Sequence, residues 1–160
     1  HAIACNIAEG THIGTFTKKT DGAVATRHLL MKVGSDSNHV VAAGADDKPI
    51  GPAPDEATAA EDVIAVDILG VKNETVRMVA SEAIAVDDIV YTAASGKVQD
   101  GPGVVGTYYK VGVALSAAGA DGDVIEVQHH APIRVKVIAT SPDVAAIAAA
   151  LDSAGEIIVL

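Results

Sequence analysis

Apolar and polar residues alternate in short runs along most of the chain, which is the pattern of half-buried β-strands. Val63–Leu69 is the clearest case, because Ile64, Val66 and Ile68 fall on one face of such a strand. The same pattern predicts a series of short strands: Ala23–Val33, His39–Ala43, Val63–Leu69, Glu74–Ala80, Ile89–Ala93, Lys97–Val98, Tyr108–Leu115, Val124–Gln128 and Ile133–Ala139. Turn signals separate these strands and no long amphipathic helix interrupts them. We therefore predict a mainly β fold, a small β-barrel or sandwich.

The chain is predicted to divide into an extended N-terminal arm, residues 1–22, and a single β domain, residues 23–160. The arm is inferred because threonine and glycine are frequent there and hydrophobic periodicity is weak. An ordinary frayed terminus is the alternative interpretation of the same residues. Within the domain, residues 46–62 are rich in proline and acidic residues, and they predict a loop with at most an edge strand.

One short helix is predicted near the C-terminus, at about residues 142–152. Ser141 can cap it, Pro142 suits the first helical position, and Gly155 is placed to end it. Glu156–Leu160 then has strand character, and we expect this apolar tail to pair with a sheet edge.

An internal repeat appears when the chain is aligned with itself at an offset of 61 residues. Residues 50–66 and 111–127 are identical at eight of seventeen positions: Gly51/Gly112, Ala53/Ala114, Ala57/Ala118, Ala59/Ala120, Asp62/Asp123, Val63/Val124, Ile64/Ile125 and Val66/Val127. A long period seen twice predicts two similar halves rather than a solenoid. The repeated glycine predicts a close approach of backbones, and the repeated aspartate predicts a turn cap at a strand entrance. A metal site at these aspartates is the less favoured alternative, since calcium-loop spacing is missing.

Composition narrows the possible functions. The chain is 49% hydrophobic and 2% aromatic, with a formal net charge of −10. Such an acidic chain lacks the positive charge that binds phosphates, so no binding to nucleic acid is expected. Its longest apolar run, Val144–Leu151, is too short to span a membrane. Ala2–Ala8 is too short for a secretory signal, so none is expected. A core built from alanine and valine buries little area per residue, which favours burial of further apolar surface against other chains.

No catalytic, metal or cofactor site is predicted. His129 and His130 are neighbours on a strand and face opposite sides, so they cannot jointly bind one metal ion. Cys5 and His12 lie in the unpatterned arm without an orienting motif, and a single cysteine cannot form an internal disulfide. Gly14–Thr20 lacks the glycines of a phosphate loop, and no Gly-x-Ser-x-Gly elbow occurs. We expect a protein that is not an enzyme.

Two central segments carry a family resemblance. Thr75–Val98 contains an Asp-x-Val-Tyr…Gly-Lys-Val hairpin, and Gly106–Val127 contains a Val-Gly-x-Ala-Leu strand followed by Ala-Asp-Gly-Asp-x-Ile-Glu-Val. These motifs resemble the capsid cement, or decoration, proteins of tailed bacteriophages. The resemblance covers about residues 40–132, and the N-terminal arm and C-terminal helix lie outside it.

The resemblance implies a structural role on the outer surface of a phage head. It implies that the protein binds the major capsid protein, clamps neighbouring capsid subunits and stabilises the mature head as a homotrimer. The implied location is the virion, after synthesis in the cytoplasm of the bacterial host. Another virion surface protein, such as a host-adhesion or glycan-binding module, is the alternative, although three tyrosines and no tryptophan offer few stacking platforms for sugars.

The arm is expected to lie across a neighbouring subunit, and three of its residues are the predicted contacts. Phe16 is the single phenylalanine of the chain and is expected to occupy a partner's pocket. Lys18 and Lys19 give the arm a positive charge, which favours an acidic neighbouring surface.

Overall fold

The computed structural model describes residues 10–139, 144–153 and 155–160. Eleven strands and one helix follow each other along the chain: β1 (Thr15–Thr20), β2 (Leu29–Val33), β3 (His39–Ala42), β4 (Gly51–Ala53), β5 (Val63–Asp67), β6 (Val76–Val79), β7 (Ile89–Thr92), β8 (Val98–Gln99), β9 (Gly106–Ala114), β10 (Val124–Ile138), α1 (Val144–Ser153) and β11 (Glu156–Val159). A single 3-10 turn, Ala94–Gly96, joins β7 to β8. The predicted mainly β fold with a short C-terminal helix is confirmed.

The first half of the molecule is a five-stranded sheet in the order β4-β2-β3-β1-β5. β1 runs parallel to β3, and its other edge pairs antiparallel with β5, where Lys18 lies opposite Ile64. The two end strands approach each other, since the Leu69 N–H donates to the Ile50 carbonyl at 2.9 Å. The sheet therefore curls into a nearly closed barrel.

The second half repeats this arrangement with β6 to β10, and β11 is added at the edge. β6 pairs antiparallel with β10, as β1 does with β5, and β9 lies between β7 and β10. Ala80, directly after β6, forms a parallel bridge with Val98 of β8. This bridge corresponds to the parallel pairing of β1 with β3, so each strand from β1 to β5 has a counterpart five strands later.

The correspondence extends to single hydrogen bonds. Val24 and Ala57 exchange two backbone hydrogen bonds, and Ile84 and Ala118 exchange two in the second half. Ile84 lies 60 positions after Val24, and Ala118 lies 61 positions after Ala57. The predicted two similar halves are therefore visible in the backbone ladder itself.

The repeated apolar residues build similar cores. The core cluster of the first half includes Ala53, Ala57, Ile64 and Val66, and their partners at an offset of 61 lie in the larger cluster of the second half: Ala114, Ala118, Ile125 and Val127. All eight are buried, with at most 6% of each residue exposed. Leu30 of the first half also belongs to the larger cluster, so the two halves share apolar contacts.

Two strand predictions differ from the structure. Val124–Gln128 and Ile133–Ala139 are one long strand, β10, with a register irregularity between His129 and Ile133. Pro132 lies inside that irregularity, where its missing N–H breaks no regular ladder bond. The predicted strand Ala23–Val33 is also shorter, because β2 begins at Leu29.

The predictions for two further segments agree with the structure. β4 is an edge strand within residues 46–62, as expected. The C-terminal tail pairs parallel with β10 as β11, and α1 occupies Val144–Ser153. The predicted helix cap, Ser141, and the proline after it lie outside the described residues.

The expectation that the arm lies across a neighbouring subunit instead of on its own domain is wrong for the residues of β1. This strand pairs on both edges within its own chain, with β3 and with β5. The pattern of side chains missed this because backbone hydrogen bonds, which do not depend on side-chain type, hold most of the strand in place. The remaining predicted arm before residue 10 lies outside the described residues.

Candidate functional site

Phe16 faces the core of its own half instead of projecting away from the molecule. It lies opposite Val66 of β5 and packs on the core cluster of the first half. Its ring meets the His12 imidazole edge-on, with centroids 5.6 Å apart and ring planes at 89°. Intramolecular packing therefore positions Phe16, and its contact with a partner's pocket stays a prediction.

Lys18 lies on the same face of β1, two residues further along. Its ammonium group is 5.0 Å from the centre of the Phe16 ring and donates to the Ser37 carbonyl at 2.8 Å. A cation above an aromatic face is attracted by the ring's negative quadrupole. The apolar stem of Lys18 thus extends along the core edge while its charge stays near solvent.

Lys19 points to the opposite face, where it joins an ionic network. Its Nζ lies 3.2 Å from an oxygen of Glu61, and both side chains are well exposed. His39 stands between two carboxylates, with Nε2 2.7 Å from Glu61 Oε1 and Nδ1 2.7 Å from Asp36 Oδ1. The four residues join β1, β3 and the turn before β5.

The electrostatics of this network follow from its hydrogen bonds. Asp36 first, and then Glu61, raise the pKa of His39 above its ordinary value. His39 in turn lowers the pKa of both carboxyl groups, with help from Lys19 at Glu61. Each partner therefore favours the charged form of the other.

The second half carries a matching ion pair. Lys97 directly precedes Val98 as His39 precedes Val40, and Lys97 Nζ lies 2.7 Å from Asp121. His39 and Lys97 stand at the same place in two similar short sequences, Ser37–Val40 and Ser95–Val98. The sequence did not reveal that the two cations pair with carboxylates on the equivalent loops.

A shallow surface cleft adjoins the Phe16 side of β1. Its lining includes His12, Phe16, Lys18, Asn38, Ile68 and Val71. The predicted contact residues therefore divide between two surfaces: Phe16 and Lys18 at this cleft, and Lys19 at the ionic network.

The repeated aspartates act as turn caps, as the sequence predicted. One carboxylate oxygen of Asp62 accepts from the N–H groups of Thr58 and Ala59, at 2.9 and 3.0 Å. The same oxygen of Asp123 accepts from Gly119 and Ala120, at 2.8 and 3.1 Å. The Ala59 hydrogen bond is the largest cause of a lowered pKa at Asp62.

His129 has a structural task that the sequence did not indicate. Its Nδ1 accepts a hydrogen bond from the Gly70 N–H at 2.9 Å, and its Nε2 lies 2.8 Å from the Glu74 carbonyl oxygen. Both partners lie in the segment joining β5 to β6, so this imidazole fastens the connection between the halves. The ring nitrogen Nδ1 of His130 instead lies 2.7 Å from the Ala131 carbonyl oxygen.

Among the described residues, no group of three histidine, cysteine or carboxylate side chains is arranged to hold a metal ion. Cys5 lies outside these residues.

A family model described as phage cement protein matches residues 7–129. The chain belongs to this family. The match begins before residue 40, so the expectation that the N-terminal residues lie outside the resemblance is wrong for residues 7–39. Within the cement protein, the matched part contains the strands from β1 to β9, while α1 and β11 follow it. The family is one of structural phage proteins.

The cement protein is also similar to a solved structure, the N base of head fiber gp8.5 in bacteriophage phi29. The TM-score is 0.53 at 21% sequence identity, and the alignment covers 74% of this chain and 94% of that chain. At this level of identity the likeness shows a shared fold. A search of curated proteins finds no significant match. Among the described helical residues, no segment is long and apolar enough to cross a membrane.

Proposed function

We propose that this cement protein decorates the outer surface of a phage head as a homotrimer. In that position it binds the major capsid protein and clamps neighbouring subunits against internal pressure. The observation that carries the proposal is the family match over residues 7–129. The two barrel-like halves, β1–β5 and β6–β10, support the proposal, because two small cores joined by shared apolar contacts make a stiff unit that can bridge two neighbouring capsid subunits.

The β1 surface is the proposed capsid contact. Lys18 and Lys19 carry positive charge at the two sides of one strand, although the chain as a whole has a net charge of −10. Phe16 acts in this proposal by holding β1 and Lys18 in place. Exposed charges of this kind affect the rate and orientation of binding more than its strength.

Reconstitution on undecorated heads tests the function. Purified protein is added to heads assembled without it, the heads are sedimented, and the number of bound copies is counted against the major capsid protein. We expect saturable binding and a higher temperature of DNA release from the decorated heads. Absence of binding, or binding without any gain in head stability, would contradict the clamping role.

Charge reversal tests the contact surface in the same assay. Lys18→Glu and Lys19→Glu are expected to slow association with heads, and Lys48→Glu serves as the matched control. Lys48 is an exposed lysine outside β1. Equal binding by all three variants would remove β1 from the contact.

The second candidate is a base for a surface fiber or adhesion module. The likeness to the N base of a phage head fiber supports it. This function predicts that virions lacking the protein adsorb poorly to host cells while their heads keep normal heat stability. The clamping function predicts the opposite pair of results.

A further inference from the structure

The helix α1 is unusual because its residues before Asp152 are all apolar, and most of them are exposed. Val144–Leu151 contains no charged residue. Ala145–Ala149 are exposed, and so is Leu151, at 63%, while Ala150 is the buried residue, at 3%. A helix that is hydrophobic all round is normally buried on more than one side. Among the residues that the structure describes, the packing that this sequence requires is therefore incomplete.

The neighbouring strand extends this apolar surface. α1 packs against β10 and β11, and β11 is the edge strand of its sheet. Val159 and Leu160 at its end are 51% and 39% exposed. The one acidic residue of β11, Glu156, forms an ion pair with Lys110 of β9. The surface formed by α1 and β11, called here the C-terminal face, thus has one acidic residue besides this ion pair, Asp152 near the end of α1.

Charge indicates which partner fits this face. Two copies of a chain with a net charge of −10 repel each other over most of their surfaces. Contact between copies is least opposed where acidic side chains are few or already paired, and the C-terminal face has only Asp152 besides the paired Glu156. The charged residue of α1 is Asp152 and the helix contains no basic residue, so an acidic partner of another kind would find no complementary charge there.

The family match supports the same choice. It ends at residue 129, before α1 and β11. Under the proposed function, attachment to the head uses the part that the family shares. The C-terminal face is then left for a different contact.

We infer that the C-terminal face binds a second copy of this chain, and that Ile147 and Leu151 become buried in the contact. The inference rests on the self-association part of the proposed function. It adds that association occurs in solution, through α1 and β11, without the capsid.

Light scattering on the intact chain tests the inference, over concentrations from about 1 μM to about 1 mM. We expect concentration-dependent association. The double variant Ile147→Glu/Leu151→Glu should weaken it by about a hundredfold, because each added carboxylate would be buried without a partner. Val104→Glu/Val105→Glu is the matched control, since it alters two exposed valines outside the C-terminal face, 70% and 56% exposed. Circular dichroism would confirm that both variants are folded.

Two results would overturn the inference: a monomer at every concentration, or equal association of the intact chain and the α1 variant. Binding to undecorated heads is measured separately for the same proteins. Loss of head binding by the intact chain would contradict the proposed function, whereas the sizing data decide the inference by themselves. A folded monomeric α1 variant that still binds heads would support both.

Discussion

Gly51 and Gly112 stand at equivalent points of the two halves, each against a carbonyl oxygen of an adjoining strand. A Cβ atom on Gly51 would overlap the carbonyl oxygen of Asp67, and one on Gly112 would overlap that of Gln128. Asp67 and Gln128 are themselves 61 residues apart, as the glycines are. The repeated glycine therefore marks the place where each half closes on itself.

Alanine at either glycine should destabilise the fold. Gly51→Ala and Gly112→Ala force one strand away from its neighbour, and overpacking of this kind costs about 1–3 kcal/mol or more. Urea denaturation would measure the change in the free energy of unfolding. Gly103→Ala is the control, because nothing lies within 4 Å of a Cβ atom there. Unchanged stability of both test variants would show that the close approach is not a packing constraint.

Loss of the turn caps should also destabilise both halves, and Asp62→Ala should have the larger effect. The Asp62 carboxylate accepts a third hydrogen bond, from the Thr58 hydroxyl at 3.0 Å, whereas glycine stands at the corresponding position 119. Thermal unfolding of Asp62→Ala and Asp123→Ala would show which substitution lowers the unfolding temperature more. When both substitutions are repeated in a Thr58→Gly background, the difference between their effects should shrink. A persistent difference would contradict this explanation.

Acid should weaken the first cap in a defined direction. The pKa of Asp62 is lowered in the folded state from its usual 3.8. Its stabilising contribution is therefore complete above the unfolded pKa and is lost as the pH falls through the lower, folded pKa. The unfolding midpoints of the natural chain and of Asp62→Asn should be measured from pH 6 to about pH 2. The difference between the two midpoints should shrink as the pH falls. Parallel curves for the two proteins would refute the assignment.

The His39 network predicts a change near neutral pH with the opposite sign. The folded pKa of His39 is raised above 6.5, so its contribution is complete below that pH and is lost as the pH rises through the folded pKa. The difference in unfolding midpoint between the natural chain and His39→Gln should therefore shrink from pH 6 towards pH 9. Lys97→Gln provides the control, because it removes the corresponding ion pair of the second half, between Lys97 and Asp121, and leaves the His39 network intact. A pH-independent difference for His39→Gln would contradict the prediction.

Phe16 should matter for folding more than either neighbouring lysine. Phe16→Ala removes a partly buried ring from the first core, and we expect a loss of about 2 kcal/mol, less than for a fully buried phenylalanine. Lys19→Ala removes an exposed ion pair and should cost at most about 1 kcal/mol. Phe16→Leu should recover most of the loss if packing is the cause. Equal stabilities of the alanine variants would instead indicate that the ring makes its main contact outside this chain.

The duplication and the strand content could be predicted from the sequence because both depend on local chemistry. Alternating apolar residues define the inner face of each strand, so Ile64 and Ile125 occupy corresponding core positions. An aspartate that accepts hydrogen bonds from residues three and four positions earlier requires only the turn around it. The repeated glycine indicated a close approach, although the sequence could not show which carbonyl oxygen it meets.

Tertiary structure decided the place of β1. Its inward positions are Phe16, Lys18 and Thr20, which is too polar a set to show as a buried strand. Its stability comes from backbone hydrogen bonds to β3 and β5, and Lys18 pairs with Ile64, 46 residues further along the chain. Such bonds are indifferent to side-chain type, and they form only once the distant strands have been brought together. The sequence by itself therefore determined the two repeated cores and their turns, and only the folded chain showed that Thr15–Thr20 of the predicted arm belong to the first of them.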